Sequence, residues 1–212
     1  MEVDVDYHYT SDDSCTGWPV GSGYFVTAYH CVYGTAAAPG AVGRLLGEGV
    51  AVTALTPSGS VADGNFNATV VATDPAHDLA LLELGGVNLA AWPHLDRGLP
   101  LDLKPVSTGQ LLVALDFHAV NQRPFVAYGQ VIDPNFDASP DPAADEYPGA
   151  PNDYQDVIEV AATAYPGNSG GPVLNARGRV VGVVDLGGKD DSTFEAMPIA
   201  VVGSEIERWL AR

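Results

Sequence analysis

The chain has 212 residues, of which 46% are hydrophobic, with 24 glycines and 16 prolines; a chain of this length buries roughly 70% of the surface its unfolded form exposes. Its formal charge is −18, from 27 acidic against 9 basic side chains, so repulsion from phosphate excludes nucleic acid as a natural partner. Such acidity fits solubility or the steering of a basic polypeptide, and a solvated surface is the simpler account. No apolar run is long enough to span a bilayer, and the start, MEVDVD, has neither a basic stretch nor an apolar h-region, so neither a membrane segment nor a signal peptide is expected. Short runs of Val, Ala, Leu and Thr between Gly, Pro, Asn and Asp predict strands joined by loops, an all-β chain without a convincing internal repeat.

In chain order, the first informative segment is GSGYFV at 21–26, an alternating apolar stretch that runs into TAYHCV at 27–32. An imidazole accepts and returns a proton near neutral pH, which makes His30 a candidate general base. The next is DPAHDLALLEL at 74–84, where Asp78 opens a run of aliphatic residues. A carboxylate among apolar residues is costly unless paired, and an imidazole N–H is a suitable partner, so Asp78 is expected to orient His30. His77 precedes it, but adjacent strand residues point to opposite faces, so His77 is not expected to replace His30.

Residues 133–156 carry seven acidic side chains (Asp133, Asp137, Asp141, Asp145, Glu146, Asp153 and Asp156), five prolines and no Lys or Arg. They read as a long exposed loop, too polar and proline-broken for a core strand. Their spacing matches no defined calcium loop, so a solvated loop is preferred and no metal site is assigned. His8, His94 and His118 lie in no ligand-like cluster, and neither metal nor cofactor is expected. At 167–172 the chain reads GNSGGP. Glycine permits positive φ, so the N–H groups of Gly167 and Ser169 could converge on one point beside the Ser169 hydroxyl, the chemistry of a nucleophile with an oxyanion hole. Near the C-terminus, Ser204 and Glu207 have capping-box spacing, which predicts a helix starting at Ser204 and packed onto the body through Trp209.

Three blocks in the order His, Asp, Ser, namely TAYHCV, DLALLEL and GNSGGPVLNARGRVVGVV, resemble the trypsin-like serine proteases of the chymotrypsin fold, particularly their bacterial HtrA-like branch. The resemblance implies two six-stranded antiparallel β-barrels and a short C-terminal α-helix. The division is expected near 98–105, with residues 1–102 bringing His30 and Asp78 and residues 103–212 bringing Ser169. It implies a serine endopeptidase acting on polypeptide substrates through a Ser169–His30–Asp78 triad and an acyl-enzyme, with Gly167 and Ser169 amides as oxyanion hole. A catalytically silent binding module and a serine esterase are the alternatives; the intact triad weighs against the first, and the missing GxSxG elbow against the second.

The same resemblance implies a Cys15–Cys31 disulfide, with two reduced thiols as the alternative. Asn168 stands where many relatives have an aspartate that pairs with a newly cleaved N-terminal amine, so the oxyanion hole is expected to form without such cleavage. Thr163 occupies the place of the aspartate by which trypsin selects Arg and Lys. Residues 183–187, including Val184, Asp185 and Gly187, are expected to form the strand along which substrate pairs, Gly187 keeping the pocket open. An inward Glu195 would favour basic residues and an inward Phe194 small aliphatic ones; small or medium uncharged residues are the expectation. Asp185 replaces a small hydroxyl residue near the triad carboxylate. It either forms a coupled pair with Asp78, one member titrating high, or turns away. The 133–156 segment would border the cleft. A regulatory partner or fused domain would lie outside these residues. Localisation is expected to be cytoplasmic if Met1 is the natural start, and secreted or extracytoplasmic if it is not.

Overall fold

A computed structural model of the protein describes residues 2–5, 14–32, 50–55, 61–86, 88–91, 93–118, 123–138, 154–165, 167–187 and 192–211. Seven strands of the first half form one antiparallel sheet: β1 (Glu2–Val5), β2 (Ser14–Thr16), β3 (Trp18–Gly21), β4 (Tyr24–Ala28), β5 (Val50–Leu55), β6 (Val61–Asp74) and β7 (Leu79–Leu84). Their order is β2-β1-β5-β6-β7-β4-β3. The two edge strands, β2 and β3, are separated in the chain by Gly17 alone. The sheet therefore curls until its ends meet in one bent segment, 14–21, and counting that segment once leaves the six strands of a barrel.

The second half supplies β8 (Leu111–His118), β9 (Arg123–Ala138), β10 (Tyr154–Val160), β11 (Pro172–Leu174), β12 (Val180–Gly187) and β13 (Phe194–Pro198). These six close into a barrel in the order β10-β13-β12-β11-β8-β9. The strands of the two sheets thus come from residues 2–84 and 111–198. Between them lies a short helix, α1 (Pro93–Arg97), and the chain ends in α2 (Ile199–Leu210). Among the described residues no helix is long and apolar enough to cross a membrane.

Each sheet has its own core. Phe25, Ala80, Leu82 and Leu95 pack in the first, and Leu112, Ile158, Val160, Val173 and Phe194 in the second. A third cluster spans the seam, joining Trp18, Val26, Leu79 and Leu81 of the first sheet to Val183 and Met197 of the second and to Ile199, Val202, Ile206 and Trp209 of α2. The helix thus fastens both halves together, a wider role than packing on the second barrel alone.

Two sequence expectations are corrected here. Helix α2 starts at Ile199, five residues before Ser204, with Pro198 as its N-cap and no side-chain capping bond. Its buried stripe, Ile199, Val202, Gly203, Ile206 and Trp209, already runs at helical spacing through Ser204, and that seam packing outweighs the local capping signal. The acidic segment 133–156 is not a loop throughout: β9 continues to Ala138 and β10 begins at Tyr154. Asp137 is exposed while Ala138 is buried, so the strand carries its acids on the solvent side. Residues 139–153 lie outside the described residues.

Candidate active site

Strands β4 and β7 pair antiparallel with Ala28 opposite Leu79. That register brings the residues just beyond it, Tyr29 and His30 on one strand and Asp78 on the other, face to face. The Tyr29 N–H donates to the Asp78 carbonyl at 3.1 Å, and the His30 N–H donates to Asp78 Oδ1 at 2.8 Å. Asp78 lies in the left-handed region, φ 46° and ψ 51°, where a 3-10 turn at Pro75–His77 gives way to β7. Aspartate tolerates this conformation better than most residues.

The ring of His30 approaches the same carboxylate, Nδ1 to Oδ2 at 2.5 Å. An ionised carboxylate only accepts, so the network assigns the proton to Nδ1 and leaves Nε2 as the basic nitrogen. The Asp78 side chain is fully buried, whereas that of His30 is 25% exposed. Burial alone would push the Asp78 carboxyl up, but the charge of His30, its two hydrogen bonds and one from Asp185 hold it below the ordinary aspartate value. His77 sits in the 3-10 turn, not on a strand as the sequence suggested, and its Nδ1 bonds Asp74 Oδ2 at 2.6 Å. It is occupied away from His30. His94 lies in α1, His118 ends β8, and His8 falls outside the described residues.

Ser169 arrives from the other half on the turn at 167–171. Gly167 and Gly170 have φ of 100° and 83°. At Gly170 a Cβ would stand 2.3 Å from the Thr16 carbonyl oxygen and 2.4 Å from Thr27 Oγ1, so only glycine lets the turn seat against the first sheet. Thr16 clamps it: its N–H donates to the Ser169 carbonyl at 2.9 Å and its hydroxyl to the Gly167 carbonyl at 2.7 Å. Thr27, fully buried, donates in turn to the Thr16 carbonyl at 2.8 Å. The Cys15–Cys31 disulfide is present and joins the residue before Thr16 to the residue after His30. With both sulfurs bonded, the reduced-thiol alternative falls away.

Within the turn, the amides of Asn168, Gly170 and Gly171 donate to the carbonyls of Tyr165, Val184 and Asn168. Among the described residues the amides of Gly167 and Ser169 donate to no protein acceptor. The Ser169 hydroxyl donates to the Asp185 carbonyl at 3.4 Å, a long contact that leaves it easily redirected.

Asp185 is the bulged residue between Val184 and Leu186 where β12 pairs with β13. It is 3% exposed, and ligand atoms of Asp185, Asp78 and His30 all lie within 4.8 Å of one another. Among the described residues neither Asp185 oxygen meets a donor, yet a proton on Asp185 turns its contact with Asp78 into a hydrogen bond. Burial, then the charge of Asp78, then that of Glu195, pushes the Asp185 carboxyl well up. The coupled arrangement is therefore the one the side chain adopts. Val184 is buried in the second core, with its N–H and carbonyl bonded to Gly171 and Gly170. Beyond Val184 no described strand pairs with that edge of β12, so the open edge runs from Asp185 to Gly187.

Thr163 is half-buried in the segment after β10. Phe194 is 1% exposed and packs in the second core with Ala196, beside Ala162 and Ala164. Glu195, its neighbour on β13, is buried, and its charge acts on Asp185. Sequence reasoning missed Thr16, Thr27 and Asp116, the last a buried residue of β8 whose Oδ2 accepts from Asn168 Nδ2 at 3.2 Å. An unexplained polar residue in an apolar strand was the one available signal for Thr27 and Asp116.

A family model described as trypsin-like peptidase domain matches residues 15–183. A probable periplasmic serine endoprotease, DegP-like, of Pseudomonas fluorescens is 33% identical over 123 residues, 56% of this chain and 21% of that protein. A serine protease Do-like HtrA of Lactobacillus helveticus is 26% identical over 189 residues, 88% of this chain and 38% of that protein. The chain thus spans well under half the length of these curated relatives. Among solved structures, the active form of the Rv3671c protease of M. tuberculosis superposes with a TM-score of 0.72 at 22% identity, over 97% of this chain and 78% of that one. The MamO protease domain of Magnetospirillum magneticum does so with a TM-score of 0.66 at 23% identity, over 96% and 93%.

Proposed function

Because the chain belongs to the trypsin-like peptidase family, a serine protease of HtrA-like type, we propose that it cleaves polypeptides by a Ser169–His30–Asp78 triad with Gly167 and Ser169 as oxyanion hole. The observation that carries this reading is the 2.5 Å contact of His30 Nδ1 with Asp78, which turns Nε2 into the base on the side left for Ser169. Nε2 takes the Ser169 proton as Oγ bonds to the peptide carbonyl carbon, and Asp78 stabilises the imidazolium. The carbonyl oxygen, now negative, meets the two unused amides of Gly167 and Ser169. The C–N bond breaks as His30 returns its proton to the departing amine. Water, deprotonated by the same nitrogen, then hydrolyses the acyl-enzyme. The long Ser169 hydroxyl contact suits a resting enzyme whose catalytic hydrogen bonds tighten when substrate binds.

The substrate backbone pairs with the open edge from Asp185 to Gly187. With Phe194 filling the second core beside Ala162 and Ala164, and Thr163 uncharged, the site favours small or medium uncharged residues at the cleaved bond. Asn168 is neutral and already bonded to Asp116, so the turn needs no cleaved amino terminus to order it.

A fluorophosphonate probe tests the nucleophile. Labelling of the parent but not of Ser169→Ala, and much slower labelling of His30→Ala, is the expected result. Equal labelling of Ser169→Ala would remove the assignment. Turnover of casein as well as short esters separates a peptidase from an esterase.

A further inference from the structure

Behind the turn that presents Ser169 lie two buried polar side chains with one partnered and one orphaned atom each. Asn168 is 1% exposed and Asp116 is 6% exposed. Asn168 Nδ2 donates to Asp116 Oδ2 at 3.2 Å. Asp116 Oδ1 and Asn168 Oδ1, the remaining atom of each group, have no hydrogen-bond partner among the described residues. Both are acceptors in the usual protonation states, so two buried acceptor oxygens are left without a protein donor, which is costly. A single proton removes both faults at once. A carboxylic acid and a primary amide fit each other at two points, amide N–H to acid oxygen and acid O–H to amide oxygen, and the first of these bonds is already in place.

We propose that Asp116 is a neutral carboxylic acid whose Oδ1–H donates to Asn168 Oδ1, closing a two-point acid–amide pair that positions the Ser169 turn from behind. The surroundings give the pair its place. A Cβ at Gly171 would lie 1.9 Å from Asp116 Oδ1 and 2.9 Å from the Asn168 carbonyl oxygen, so the bare glycine makes the room in which Oδ1 stands. The amide of Gly171 also bonds the Asn168 carbonyl at 2.9 Å, which makes the acid, the amide and the turn one packed unit. Burial pushes the Asp116 carboxyl well up. The neutral acid has a further advantage at this position: an ionised carboxylate directly behind an oxyanion hole would oppose the negative charge that the hole must hold. Asp116 is a positioning residue, since it touches neither substrate nor the reacting atoms and acts through Asn168.

The pairing stands whether or not the protein is a protease, while its effect on turnover rests on the proposed triad. Infrared difference spectroscopy of the parent against Asp116→Asn at neutral pH tests the first. Loss of a protonated-carboxyl C=O band in the variant is the expected result; loss of an ionised carboxylate signal instead would overturn the proposal. Steady-state kinetics on a short ester tests the second. Asp116→Asn, whose amide can make the same two-point pair with Asn168, is expected to stay within about threefold of the parent. Asp116→Leu keeps the bulk but abandons the Asn168 amide, and is expected to lose roughly tenfold to a hundredfold in kcat with little change in KM, somewhat less than deletion of an oxyanion donor costs. Full kcat in Asp116→Leu would overturn the positioning role. A parent that turns over no substrate while still showing the infrared band would sink the protease reading and leave the pair standing.

Discussion

Asp78 accepts from His30 twice, from the backbone N–H at 2.8 Å and from ring Nδ1 at 2.5 Å, one bond to each carboxylate oxygen. The backbone bond fixes where the carboxylate stands, and the ring bond fixes how the imidazole is turned. Asp78→Asn has one acceptor oxygen where the parent has two, so keeping the backbone N–H bond turns an amide donor toward the ring. Its kcat is expected to fall by about 10⁴, the size of the same change in the well-studied triad enzymes, with the melting temperature lowered only modestly. Stopped assays on an activated ester, beside thermal melts, check both halves. A drop of less than tenfold would mean that Asp78 does not set the His30 tautomer.

Asp185 gives the protein a pH dependence whose sign follows from its raised carboxyl. The native state keeps the proton that the unfolded chain releases near an ordinary aspartate value. Stability is therefore greatest below that value and declines as pH rises, until the folded-state value is passed. Within this window each pH unit costs the parent about a factor of ten in its folding equilibrium relative to Asp185→Asn, whose amide needs no proton. Urea titrations of both proteins from mildly acidic to alkaline pH measure the gap. Curves that stay parallel across the range would contradict the coupled Asp185–Asp78 pair.

The glycines of the molecule differ sharply in what they exclude. Gly170→Ala drives a methyl group to 2.3 Å from the Thr16 carbonyl oxygen at φ 83°, while at Gly178, φ 68°, a Cβ meets nothing within 4 Å. Gly178→Ala should cost only the backbone strain, about 1 kcal/mol. Gly170→Ala should cost well above the roughly 3 kcal/mol upper end of that strain and abolish probe labelling of Ser169. Denaturation midpoints and labelling rates measured on both variants make the comparison.

Helix α2 separates two accounts of one residue. If Ser204 were an N-cap, Ser204→Ala would cost about 1 kcal/mol. As an exposed residue inside a helix that starts at Ile199, it should change stability by less than about 0.5 kcal/mol. Trp209→Ala, which empties the cluster fastening both halves, should cost roughly 3–5 kcal/mol. Urea denaturation of both variants distinguishes the accounts.

The candidates His30, Asp78 and Ser169 stood out in the chain because each lies in a short block resembling the trypsin-like family, and the fold brings His30 and Asp78 into contact. The closed second barrel was expected only through the family resemblance, whereas the all-β character was legible because alternation and turn residues are local signals. The start of α2 was not, because a capping pattern at Ser204 competed with packing that only the seam reveals. Nor was the end of β9, where acids on the outward face of a strand look, in one dimension, like the acids of a loop. The role of Thr16 and the partner of Asp116 were out of reach for a third reason: the bonds they make span 151 and 52 positions. No pattern along the chain announces a bond of that span.

The bent segment at 14–21 closes the first sheet on itself, and through Thr16 it also grips the turn that carries Ser169. Order of synthesis gives this a consequence. The gripping residue emerges early and the gripped one some 150 residues later, and contacts so distant in the chain form only after both partners are free to meet. On the proposed triad, hydrolytic competence is thus acquired only after the two halves have met. With that triad, a nascent or partly unfolded chain carries base and acid on one half and nucleophile on the other, and it cannot cleave its neighbours until the two halves have locked.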